Sequence, residues 1–129
     1  MEKSILNTIK KLIGLGVEYT PFDEDIKVFI NGAMMVLQQI GVGPKAGFTV
    51  TDYSQTWDDF LPSDTMLDGA KQYIYLYART AFDPPSSSVV MEAIEKQKEE
   101  LVWRLREQAE FYPGDGTRLG YYEKSDGES

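Results

Sequence analysis

Residues 22 to 41 read Phe-Asp-Glu-Asp-Ile-Lys-Val-Phe-Ile-Asn-Gly-Ala-Met-Met-Val-Leu-Gln-Gln-Ile-Gly, and the spacing of their apolar side chains decides the fold class. At about 100° per residue, Phe22, Ile26, Phe29, Ile30, Ala33, Met34, Val36, Leu37 and Ile40 gather on one side of a helix, a period that the two-residue alternation of a strand does not produce. The helix is expected over 22–40. Pro21 suits an early helical position, and Asp23, Glu24 and Asp25 suit the positive end of the helix dipole. Gly41 is the natural stop, with Pro44 just beyond it. Val28 and Met35 interrupt the polar side; seven residues apart, they stand one above the other.

The same reading extends to both sides. Upstream, Ser4 is a candidate N-cap for a short helix over 4–13 carrying Ile5, Leu6, Ile9, Leu12 and Ile13, ended by Gly14 and Gly16 and stable only if docked. Downstream, residues 42–62 form a long connection, with a minor strand expected at 48–51 and a helical turn over 56–60 capped by Ser54. A third helix over 64–82, capped by Ser63 or Asp64, carries Met66, Leu67, Ala70, Tyr73, Ile74, Tyr77, Ala78 and Ala81 on one face until Asp83-Pro84-Pro85 ends it. A fourth over 86–110 has an apolar stripe of Val90, Ile94, Leu101, Val102, Leu105 and Ala109, and the pairs Glu92/Lys96 and Glu100/Arg104 stand in the favourable i,i+4 order. The expected fold is all-α: a small four-helix domain over 1–110, with a long connecting loop between helices two and three and an extended C-terminal arm over 111–129. Its single core should bury Ile30, Leu37, Leu67, Ile74, Ile94 and Leu101.

Composition narrows the chemistry. The 129 residues contain no cysteine and no histidine, which removes thiolate nucleophiles, disulfides, the usual general base near neutral pH and most transition-metal ligands. No glycine-rich phosphate loop is present. Asp23/Asp25 and Asp58/Asp59 are the carboxylate groupings to consider, but each sits where a helix or turn begins, so capping and solvation account for them, and no calcium-loop spacing surrounds Asp52, Asp58 and Asp59. No catalytic, cofactor-binding or metal-binding residue is assigned, no cofactor is expected, and the chain does not read as an enzyme. No apolar run approaches the ~18 residues of a membrane span. Met1-Glu2-Lys3-Ser4 lacks the features of a secretory signal, so no membrane association is expected and the chain should stay where it is made. The net charge of −8 opposes non-specific grip on DNA, whose affinity comes from Lys and Arg on phosphates. An acidic surface suits a channel past which DNA slides, or an inhibitor that mimics DNA and binds a host nuclease or repressor. Mimicry calls for uninterrupted rows of carboxylates, whereas here 13 Lys and Arg are interleaved with 21 Asp and Glu.

Several large apolar residues lie off their helices' core stripes: Val28, Met35, Tyr75, Leu76 and Trp103. Helices in a small bundle touch two neighbours, which accounts for Leu76. Trp103, on a charged face between Lys96, Glu99, Arg106 and Glu107, is the stronger subunit-interface candidate. Phe111, Tyr112, Arg118, Leu119, Tyr121 and Tyr122 are candidates for a docking arm, too aromatic for a plain solvated tail and too interrupted by glycine to fold alone.

The ordered set Phe22-Asp23-Glu24-Asp25-Ile26, Ile30-Asn31-Gly32-Ala33, Leu37-Gln38-Gln39-Ile40-Gly41-Val42-Gly43-Pro44, Gly47-Phe48, Thr56-Trp57-Asp58-Asp59-Phe60, Tyr73-Ile74-Tyr75-Leu76, Phe82-Asp83-Pro84-Pro85-Ser86-Ser87 and Leu101-Val102-Trp103-Arg104-Leu105 resembles the head-tail connector (adaptor) proteins of long-tailed double-stranded DNA bacteriophages. The resemblance covers residues 3 to 110 and leaves the arm unmatched. It implies a structural protein, made in the host bacterial cytoplasm and placed in the virion neck. Such a helical protomer assembles as a homo-oligomeric, dodecameric ring under the portal protein and extends the DNA channel without sequence-specific binding. It also offers a platform to the next neck or tail-completion protein.

Overall fold

The computed structural model describes residues 2–61, 64–111 and 121–122, and in these the chain is helical, as its periodicity predicts. Helix α1 (Ile5–Ile13) starts where Ser4 accepts a hydrogen bond from the Asn7 amide, and ends at Gly14, whose N–H donates to the carbonyls of Lys10 and Lys11 and whose φ of 106° turns the Leu15 N–H back onto the Lys10 carbonyl. Helix α2 (Asp23–Gln39) has no side-chain cap; its first turn holds the three acidic residues instead. A two-residue strand β1 (Gly43–Pro44) and a single helical turn α3 (Trp57–Phe60) occupy the long connection. Helix α4 (Asp64–Phe82) ends at the Asp-Pro-Pro sequence, and α5 (Ser88–Phe111) starts two residues later than expected because Ser87 is its cap, accepting from the Val90 amide. Strand β2 (Tyr121–Tyr122) pairs in parallel with β1. The expected Ser63 or Asp64 cap, and Tyr112, Arg118 and Leu119 of the arm, lie outside the described residues or side chains.

Helix α4 packs against α1, α2 and α5, and α1 also touches α2. Ile30, Leu37 and Ile74 are fully buried and Ile94 nearly so, as their positions on the stripes require. Leu67 and Leu101 are only partly buried, correcting the sequence reading; they pack at the margin of the core. Val90, assigned to the stripe of the last helix, is 45% exposed, because the first turn of α5 projects beyond its neighbours. The α2–α4 approach is set by Gly32: a Cβ there would lie 2.7 Å from the Tyr77 hydroxyl, so only a residue without a side chain lets the ring lie across α2.

The long connection is tied to α2 by side chains. Asn31 donates to the Val50 carbonyl at 3.0 Å and accepts from the Val50 amide at 2.8 Å, replacing a neighbouring strand with one carboxamide. Lys27 donates to the Thr51 carbonyl and Gln38 to that of Lys45. Residues 48–51 are therefore not the strand that their composition suggests: their backbone is satisfied by a side chain, and the strand lies earlier, at β1. The cap of α3 is Thr56 and not Ser54; Thr56 and Asp59 form a reciprocal capping box. An isolated bridge between Ser4 and Thr56, with the Trp57 indole donating to Thr8, fastens the chain's start to this turn.

Lys10 is 1% exposed, yet its ammonium lies 2.7 Å from Asp23 and donates to the Val17 carbonyl at 2.9 Å. Asp23, at 26% exposure, can regain water if its partner is lost; Lys10 cannot. Asp23→Ala is therefore expected to cost about 3 kcal/mol in urea unfolding, and Lys10→Met clearly less. Equal costs would show that the pair is not held as described. Tyr73, 4% exposed, has its phenol pushed up to about 12 by burial, with smaller contributions from Tyr77 and Glu95. Between pH 10 and 12 the unfolded phenol ionises while the folded one keeps its proton, so stability should fall by about 2–3 kcal/mol across that window. Tyr73→Phe should remove that part of the alkaline limb in pH-dependent unfolding.

Candidate docking surface

Of the carboxylates considered above, Asp23, Asp52 and Asp59 are occupied structurally. Asp23 faces Lys10, and Asp59 belongs to the α3 capping box. The Asp52 carboxyl is held below its ordinary range, chiefly by the hydroxyl and then by the amide of Ser54. Glu2 is likewise lowered, first by the Ser4 amide and then by Lys11. Among the described residues no group of three or more His, Cys, Asp or Glu is placed to hold a metal ion, and no helix is long and apolar enough to cross a membrane. What the fold offers is surface.

A furrow runs along α5. On that helix Met91, Glu95, Lys98, Val102 and Arg106 recur at three- and four-residue steps, which puts them on one face. At one end the furrow lies between α2, α4 and α5, with Val28 and Gly32 on one wall, Tyr77 and Ala81 in the floor and Met91 opposite. At the other end it passes between α4 and α5, past Tyr73, Val102, Trp103 and Arg106. Glu95 and Lys98 line both parts, and their ion pair at 3.3 Å spans the middle, with the Lys98 ammonium 5.2 Å from the centre of the Tyr77 ring. The furrow is thus mostly apolar around Val28 and Met91, ionic at Glu95 and Lys98, and mixed at its other end, where Glu99 and Arg106 stand beside Val102 and Trp103.

The interface candidates separate on this surface. Val28 (67% exposed), Met35 (60%) and Trp103 (59%) project from the protomer, and Val28 and Trp103 stand at opposite ends of the furrow. Tyr75 is half-buried against the core. Leu76 is only 7% exposed, which leaves almost nothing of it for a neighbour; this matches the reading that a helix between two neighbours buries more than one stripe. Sequence patterning did not single out Val89 or Tyr53, and it placed Val90 on the core stripe. Val89, at 76% exposure, sits at the start of α5. Tyr53, at 69%, tops a turn locked by the Gln55 side chain, which accepts from the amides of Thr51 and Asp52, and by Asp52, which accepts from Ser54. Periodicity assigns faces within helices and says nothing of how far a first turn or a loop tip protrudes.

Of the arm candidates, Phe111 is the last residue of α5, and Tyr121 and Tyr122 form β2, opposite Gly43 and Pro44. A second depression, lined by Glu2, Lys3, Trp57, Asp58, Leu67, Asp68 and Lys71, has the Lys71 ammonium 5.1 Å from the Trp57 ring centre.

No curated protein and no solved structure matches the chain. A family model does, that of the phage connector protein, over residues 5–111. That span runs from the first residue of α1 to the last of α5, so the match takes in every helix of the domain and the furrow between them. With its helical fold and its exposed apolar faces, the chain belongs to the phage connector protein family, a family of structural proteins.

Proposed function

We propose that the chain is a subunit of a head-tail connector ring in the virion neck, docked under the portal, extending the DNA channel and giving the next neck or tail-completion component its platform. The observation that carries this reading is the family match across the whole helical domain, and the exposed apolar residues give it physical content. Val28 and Met35 on α2, and Trp103 on α5, meet the adjoining copies, a head-to-tail contact that closes into a ring. Tyr112, Arg118 and Leu119, beyond α5, contribute to the contact with the portal. A net charge of −8 on each subunit, multiplied around the ring, disfavours adhesion of the passing duplex and supports a passive conduit.

Trp103→Glu should keep wild-type helicity by circular dichroism, since the side chain is 59% exposed, while abolishing incorporation into virions that join tails. Normal tailed particles built with this variant would remove Trp103 from the interface. The isolated protein should show no salt-sensitive retention of duplex DNA in a mobility-shift assay at physiological salt. Tight retention that weakens steeply with added salt would contradict a conduit without grip.

A further inference from the structure

The loop after α2 presents a strand edge fixed by the core and not by what lies on it. Gly43 has a φ of +95°, and a Cβ there would sit 2.7 Å from the Phe60 ring, so the backbone rests directly on a buried aromatic. Val42 before it is 1% exposed and donates its amide to the Leu37 carbonyl at 2.9 Å; Pro44 accepts from the Gly47 amide at 2.9 Å, which closes the turn. The edge is a preformed acceptor. Tyr121–Tyr122 lies on it in parallel, with Gly43 opposite Tyr121 and Pro44 opposite Tyr122.

The donor strand is different in character. It has two residues, and one member of the acceptor is a proline without an N–H, so few backbone hydrogen bonds hold it. Residues 112–120 separate it from α5 and contain Pro113, Gly114, Gly116 and Gly120. Nine residues extend to about 30 Å, enough to carry the strand to a molecule packed alongside. The hydrogen bonds available on a neighbour's Gly43–Pro44 are the same as those on its own, so exchange gives up none of them, and a ring holds the neighbour's edge at high effective concentration.

We propose that in the assembled connector the Tyr121–Tyr122 strand of each copy is exchanged onto the Gly43–Pro44 edge of the next, making that edge a site at which one subunit receives the arm of another. This rests on the ring reading above and adds to it a hydrogen-bonded link between copies that is independent of the helix faces.

The chain has no cysteine, so Pro44→Cys with Tyr122→Cys introduces a single pair, at positions that are Cα partners across the two strands. Neighbouring strands lie about 5 Å apart, within disulfide range. Oxidation of the free double variant should give an intramolecular disulfide and a monomer band on a non-reducing gel. The same oxidation in virions should give a ladder of covalent multimers. Mixed particles carrying Pro44→Cys in some copies and Tyr122→Cys in others should also cross-link, which they can do only between molecules. Double-variant virions that yield monomer bands alone, or mixed particles without any cross-link, overturn the exchange. Failure of the free double variant to form its disulfide overturns the strand pairing itself. Absence of the wild-type chain from virions overturns the connector reading instead.

Discussion

Where α2 crosses α4, the Tyr77 ring fills the space that a side chain at position 32 would need. That contact fixes how near the two helices come, and the rest of the domain is built on the spacing it allows. It lets Ile30, Ala33 and Leu37 of α2 bury fully against the middle of α4. It also puts the tyrosine into the floor of the furrow, where its other side meets Lys98 of α5. A larger residue at position 32 would push the Tyr77 ring off α2 and reshape the furrow floor that it forms.

The polar side of α2 carries the second constraint. Lys27, Asn31 and Gln38 recur at helical spacing along one face, and each holds a carbonyl of the long connection. The connection is thereby laid along the helix and closed at its far end by the Thr56–Asp59 capping box and the Ser4–Thr56 bridge. A loop fastened at so many points behaves as part of the framework. Tyr53 stands on the tip of this fastened segment, and the Gly43–Pro44 edge lies at its start, seated on Phe60.

The family's structural role is consistent with the residues that the chain lacks. The chain has no histidine or cysteine, Asp59 serves a cap and Asp23 pairs with Lys10, while Val28, Met35 and Trp103 stand exposed. The furrow sets apolar side chains beside the charges of Glu95, Lys98, Glu99 and Arg106, an arrangement that resists non-specific sticking and rewards a partner with matched charge.

The sequence by itself determined the helices, because the period of apolar residues, the caps and the Gly and Pro stops all act within a few residues of one another. Ser4, Gly14, Gly41 and Asp83-Pro84-Pro85 marked ends that the structure keeps to within two residues. The ordered resemblance was equally legible, and it pointed to the connector family that the match over residues 5–111 shows. Only the tertiary structure decided which segments meet. Leu76 and Val28 both lie off a core stripe, yet one is 7% exposed and the other 67%, because packing covers the second face of α4 at Leu76 and leaves that of α2 open to the furrow at Val28. The Lys10–Asp23 pair joins two helices, and the Asn31–Val50 pairing turned an expected strand into an extended segment held by a carboxamide. Tyr121 and Tyr122 found their partners nearly eighty residues upstream. Local pattern fixes what a segment becomes; which distant group it meets depends on the angles and distances at which helices pack, and those exist only once the chain has folded.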